Sequence, residues 1–312
     1  MIDVVPESDE ESTSDVASEA EVDATPERVG PPRPGLLATV LAVIFFASAT
    51  ALFLGFFAFG LSGLQEQRSQ HLLYAEFRGL VDPASTVAPS VGGAIPPGTP
   101  VALLSAPGAG LHDVMVVEGT SSGDLLAGPG HLRDTPLPGQ VGESVVIGKS
   151  TTAGGPFRNI GKLRKGDVIS VLTGQGQFHY VVVGPLAAGA RPVSVPSNSG
   201  VLVLGTAAVA GESGITANGL IYVQARLKGT AKRVPPGQPK SVPTSELPSH
   251  ADLDAWPLAA LWLFVLALAS AFTWWLWARW GLFRTWIIGA PILLGIMWGL
   301  GNAGLRLFPN VY

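Results

Sequence analysis

Lys149 and Ser150, adjacent in the chain, are an amine base and a hydroxyl nucleophile by type. Such a pair drives acyl transfer when the amine is deprotonated and within hydrogen-bond reach of the hydroxyl. Two expectations weigh against it. Neighbours in a strand point to opposite faces, and an ordinary lysine, with a pKa of about 10.4, stays a cation near neutrality. Thr206 is a second candidate hydroxyl, able to face a cleft only if its strand end twists. The chain contains no cysteine, which excludes thiolate nucleophiles, disulfides and thiolate metal sites. No pair of histidines stands at helical i, i+4 spacing, so neither a metal site nor a cofactor is expected. His112 sits at a turn before a strand, and His179 reads as a surface residue of an alternating strand. The basic run Lys162, Arg164, Lys165 reads as a solvated loop, so no nucleic acid is expected as partner. Gly108-Ala-Gly110 lacks the following helix that a phosphate-binding loop needs.

The elements that must position these residues are short. From Val101 the texture is β-rich and punctuated by Gly and Pro, with candidate strands at Val101–Leu104, Val114–Glu118, Ser144–Ile147, Asp167–Thr173, Phe178–Val183, Val201–Leu204 and Leu220–Leu227. The Gly-Gln-Gly-Gln stretch between Thr173 and Phe178 is a hairpin connection. Seven short strands without a long amphipathic helix predict a sandwich or a closed barrel spanning 101–230.

The remainder is of a different kind. Charged residues are only 13% of the 312 and apolar ones 47%, a balance that suggests part of the chain lies in lipid. Ten acids and one arginine before position 33 predict a disordered acidic tail over 1–33. No charge occurs between Arg33 and Glu66, which predicts a first transmembrane helix over 34–62, uncleaved because a long acidic segment precedes it. A short stalk helix over Gln65–Leu80 and a Pro/Gly/Ser-rich linker complete 63–100. A Pro-rich linker over 231–254 leads to two more spans, 255–278 and 285–305, joined by the loop Arg279–Arg284. Two arginines and no acid place that loop in the cytoplasm, which puts the β-rich segment outside and the N-terminus inside. The final spans carry no Asp, Glu, Lys or His in their apolar stretches and read as a plain anchor, with Gly289, Gly295, Gly299 and Gly301 allowing close packing.

Five blocks of the β-rich segment carry a resemblance. Asp124-Leu-Leu-Ala-Gly-Pro-Gly-His131, Thr135-Pro-Leu-Pro-Gly-Gln140, Ser144-Val-Val-Ile-Gly148, Thr151-Thr-Ala-Gly-Gly-Pro-Phe157 and Leu163-Arg-Lys-Gly-Asp167 follow, in order and spacing, the class E type of the sortase family. The resemblance implies an eight-stranded sortase-like β-barrel on the outer face of a Gram-positive membrane. It also implies an activity, cleavage of an LPXTG-type sorting signal through a cysteine thioester. It further implies a histidine after the Gly of the Val-Val-Ile-Gly block, a cysteine ending a Thr-Leu-x-Thr-Cys strand and an arginine opening the last strand. Those positions read Lys149, Ala207 and Gly219, with Asn218 an alternative for the last. His131 belongs to a block outside the family's catalytic positions and reads as a structural turn histidine. Arg226 lies an odd number of residues from Gly219, on the opposite face of an unbroken strand, and is no substitute.

The expected fold is therefore mainly β, a sortase-like closed barrel outside the membrane plus three transmembrane helices. No residue is expected to be catalytic; Lys149, Ala207 and Gly219 are vacated positions, and Lys149, Ser150 and Thr206 are candidate groove residues. The expected function is that of an inactive sortase-like membrane protein, a pseudoenzyme serving as an extracytoplasmic binding or scaffold module. Its expected partners are the membrane and a cell-surface peptide or envelope protein. Lys149, as a persistent cation, suits a carboxylate or anionic polymer. The alternatives are a cysteine-independent hydrolase or transpeptidase and a structural subunit of an envelope complex.

Overall fold

The computed structural model describes residues 35–81, 91–186, 198–210 and 216–312. The acidic tail and part of the first linker lie outside the described residues. Eight strands close into a barrel: β1 (Pro100–Ala106), β2 (Leu111–Glu118), β3 (Gly130–His131), β4 (Gly142–Ile147), β5 (Val168–Thr173), β6 (Gly176–Leu186), β7 (Gly200–Ala210) and β8 (Thr216–Lys228). Their order around the barrel is β1-β2-β3-β4-β7-β8-β6-β5. Most contacts are antiparallel, but β2–β3 and β4–β7 are parallel. The period-2 pattern explains the inside: Leu104, Ile169, Val171, Tyr180, Leu202, Leu204 and Ala225 alternate inward into one apolar core. The Tyr180 hydroxyl is the core's polar tip and accepts a bond from the Gly139 amide at 2.5 Å. Burial pushes that phenol up to about 12.

The seven sequence-derived strands are all present and are extended at one or both ends, except the fourth, β5, which begins one residue later at Val168. The eighth strand that the resemblance implies is β3, which the sequence pattern did not locate. It has two residues, too few to show any alternation, and His131 on it is a strand residue rather than a turn residue. His112 likewise lies within β2, not before it. The last strand begins at Thr216, ahead of Gly219.

Among the described residues, three helices are long and apolar enough to cross a membrane. The first, α1 (Leu36–Phe56), passes through a π turn at Phe57–Leu61 into α2 (Ser62–Val81), so the stalk continues the span instead of starting a new helix. α3 (Trp256–Trp280) and α4 (Leu282–Arg306) form a hairpin about Gly281, whose φ of 81° favours glycine. Small residues set the packing. A Cβ on Gly289 would come within 2.9 Å of Thr273, one on Gly299 within 2.6 Å of Trp262, and one on Gly301 within 2.6 Å of Phe57. Gly295, grouped with them by sequence, faces open space. Phe57 is fully buried and meets Trp298 edge-on at 4.9 Å, which fixes α4 to the end of α1.

The Pro-rich segment after β8 is bonded to the barrel. Lys232 exchanges backbone hydrogen bonds with Gly139 and Val141, and Glu246 pairs with Arg133 while its carbonyl accepts from the Thr120 hydroxyl at 2.6 Å.

A candidate groove filled by the chain itself

The parallel pairing of β4 with β7 runs to Ile147 opposite Gly205. Beyond it Gly148 donates to the Gly205 carbonyl at 3.0 Å, and the Thr206 hydroxyl donates back to the Gly148 carbonyl at 2.8 Å. Lys149 thus leaves the end of β4 beside Thr206 and Ala207 of β7. Ala207 pairs in turn with Leu220 on β8, next to Gly219. Ala207 and Gly219 therefore lie on adjacent strands of the barrel, and Lys149 follows the end of the strand that pairs with β7. Gly219 is exposed, has φ of 101° and faces open space. Arg226 is exposed further along β8, opposite Val201.

By sequence, Lys149 is expected as a cation, and as pointing away from Ser150 if both remain in the strand. β4 ends at Ile147, so strand alternation does not apply, and Lys149 and Ser150 are both fully buried. Desolvation pushes the Lys149 ammonium down to about 7. Its Nζ reaches the Ser122 hydroxyl at 3.4 Å, and Ser122 donates onward to the Leu305 carbonyl at 3.0 Å. Among the described residues no carboxylate pairs with it. Ser122 has no motif around it, and nothing in the sequence marked it.

The cover comes from the segment that follows α4. Val311 is 1% exposed and packs with Leu125, Ile147 and Ala207. Its carbonyl accepts from the Ser150 amide at 3.1 Å and the Ser150 hydroxyl at 3.2 Å, and the main-chain oxygen of Tyr312 accepts from the Thr152 hydroxyl at 2.5 Å. Asn310 is fully buried. Its side-chain amide donates to the carbonyls of Thr120 at 2.7 Å and Leu247 at 3.0 Å, and its oxygen accepts from the Ser249 amide at 2.9 Å. Its backbone amide donates to the His250 carbonyl at 2.9 Å. Three donors and one acceptor are all used. On its other side the segment borders a cavity of about 530 Å³ lined by Ala51, Leu54, Gly55, Ala58 and Phe59 of the first membrane helix and its π turn.

A second polar patch lies behind β3. His131 Nδ1 meets the Glu118 carboxylate at 2.9 Å and Nε2 meets the Pro136 carbonyl at 3.0 Å. Arg133 is paired with Glu246, which holds its guanidinium above the usual range. Asp124, half covered nearby, is pushed up by burial despite the Ser121 hydroxyl bonded to it at 2.7 Å. No cluster of three or more metal-ligating side chains occurs among the described residues.

Residues 104–221, less than half of the chain, match the family model described as Sortase domain. The chain is 38% identical over 71 residues to Sortase D of Bacillus subtilis (strain 168), an alignment that covers 23% of this chain and 34% of that relative. Similar solved structures include the SrtF sortase from Corynebacterium diphtheriae, at 21% identity with a TM-score of 0.39, covering 52% of this chain and 98% of that one. Sortase E from Streptomyces avermitilis is 26% identical with a TM-score of 0.34, covering 49% of this chain and 100% of that one. Over residues 104–221, the part of the barrel from β1 into β8, this chain is thus similar to sortase domains.

Proposed function

We propose that this chain is a non-catalytic, sortase-like module held at a membrane, serving as a binding or scaffold unit outside the cell. The observation that carries the reading is the absence of any cysteine from the sequence, together with the methyl group of Ala207 at the position where the resemblance calls for the nucleophile. Acyl transfer through a thioester has no atom on which to begin. Gly219 supplies no cation for a developing oxyanion. Arg279 and Arg284, which flank the turn between α3 and α4, support a barrel outside the cell. In intact cells, an impermeant thiol reagent is expected to label Lys165→Cys on the barrel and to spare Phe283→Cys at the start of α4; the reverse pattern defeats the topology.

One contact favours a second reading. Lys149 Nζ and Ser122 Oγ are 3.4 Å apart, and the depressed lysine pKa makes an amine base available near neutrality. The deciding assay gives the purified full chain LPXTG-type peptides and an amine acceptor and follows products by mass spectrometry. No turnover is expected. Turnover lost in both Ser122→Ala and Lys149→Met would replace the scaffold reading with a serine-lysine hydrolase.

A further inference from the structure

We propose that the groove over Ala207 and Lys149 is a peptide-binding site whose resident ligand is the chain's own segment Leu307–Tyr312, and that once vacated it accepts an extended peptide carrying Asn followed by a β-branched apolar residue. The proposal rests on the module reading above only in taking the groove as a binding site; whether the chain turns over substrate is a separate question.

The contacts are those of ligand recognition rather than of general packing. Asn310 fills a slot whose three side-chain partners are all backbone groups: two carbonyls, of Thr120 and Leu247, and the amide of Ser249. Only a primary amide offers donors to both carbonyls and an acceptor to the amide. Aspartate, nearly the same shape, would turn an oxygen toward carbonyl oxygens. The next residue, Val311, fits a pocket bounded by Leu125, Ile147 and Ala207. The small methyl of Ala207 is part of what makes that pocket. The main-chain oxygens that follow are taken by Ser150 and Thr152, contacts any peptide of the same backbone course can make.

The segment is also built to leave. It is clamped on the barrel side, but Phe308, Pro309 and Tyr312 line the cavity of about 530 Å³ toward the first helix, and Phe308 is 55% exposed. Missing atoms on one side of a packed segment forfeit its dispersion contacts there. A six-residue segment can open as a small local unit, at a cost below that of global unfolding. Displacement would uncover Val311's pocket together with Ser150.

The natural absence of cysteine makes the test direct. In the full chain in detergent micelles, Ala207→Cys is the single thiol, and its reaction with a small maleimide is timed. With the native segment it is expected to be protected. Asn310→Asp or the milder Val311→Ser is expected to accelerate labelling by at least about tenfold. A Leu104→Cys control, in the barrel core, must stay protected in the same backgrounds, which separates release of the segment from unfolding. Added synthetic peptide Leu-Phe-Pro-Asn-Val-Tyr is then expected to restore protection in the Asn310→Asp chain, and the same peptide with Asp for Asn is not. Ala207→Cys labelling as fast with the native segment as in the variants would overturn the resident-ligand assignment. Release without protection by the added peptide would overturn the peptide site. Neither result alters the outcome of the turnover assay.

Discussion

Two buried polar patches sit on the same barrel and are handled in opposite ways. Behind β3, Glu118 is matched by His131 and Glu246 by Arg133, so each carboxylate has a nitrogen partner. At the end of β4, Lys149 is just as buried, yet its side-chain partner among the described residues is a hydroxyl 3.4 Å away. A paired charge can keep its ordinary protonation in a dry place, because the partner replaces water. An unpaired one answers desolvation by giving up its proton. The first patch is therefore structural, and it ties β2, β3 and the Pro-rich segment together. The second stores a cost that is present only while the Leu307–Tyr312 segment and the α4 end exclude water.

The sharpest way to break the comparison is pH. Burial holds the folded Lys149 near 7 against an ordinary lysine value of 10.5, so between those values the unfolded chain holds a proton that the folded chain lacks. Stability then rises with pH across that window, by up to about 1.4 kcal/mol per unit. Below about pH 7 both states are protonated and the slope from this group vanishes. Lys149→Met removes both the cost and the slope. The thermal midpoint of the full chain in micelles is expected to climb from pH 7.5 to 9.5 in the wild type. It is expected to stay flatter, and to start higher, in Lys149→Met. Keeping below pH 10 avoids Tyr180, whose raised pKa acts in the other direction. Equal slopes for the two chains would mean that Lys149 is solvated and that the contrast between the patches is false.

Which parts of this arrangement could be read from the sequence follows from the range of the interactions. The seven longer strands were legible because period-2 alternation is local to each of them. β3 was not, since Gly130 and His131 hold a strand position only through Val117 and Glu118 on one side and Val146 and Ile147 on the other. The juxtaposition of Lys149 with the Ala207 strand end could be anticipated from the sequence blocks. The burial of Lys149 could not, because its cover arrives from far along the chain: Ser150 bonds to a residue 161 positions later, and Ser122 to one 183 positions later. A short stretch such as Leu-Phe-Pro-Asn-Val-Tyr has no periodicity to show that it folds back on a barrel. The Pro-rich composition of 231–254 read as a linker, whereas Leu247, Ser249 and His250 supply a wall of the groove through backbone groups, which carry no signature in side-chain type.

The paired patch gives the smaller and cleaner test. His131→Leu keeps similar bulk but removes both ring nitrogens, leaving the Glu118 carboxylate, 3% exposed, without its imidazole partner and the Pro136 carbonyl without its contact. Breaking one side of a buried pair leaves an uncompensated group behind, which costs about 3 kcal/mol. The loss is expected as a lower midpoint in the same thermal assay at pH 8. Glu118→Gln should lose much less, because its amide oxygen can still accept from Nδ1 if the ring is protonated there. The double substitution His131→Leu with Glu118→Leu should recover most of the loss, since replacing both partners by apolar groups removes the desolvation penalty along with the bond. The comparison fails if His131→Leu is neutral, for the pair would then be incidental to the fold. It sharpens if the double variant is stable while Lys149→Met alone is stabilising. One patch would then be held by its pairing, and the other would be strained by the lack of one.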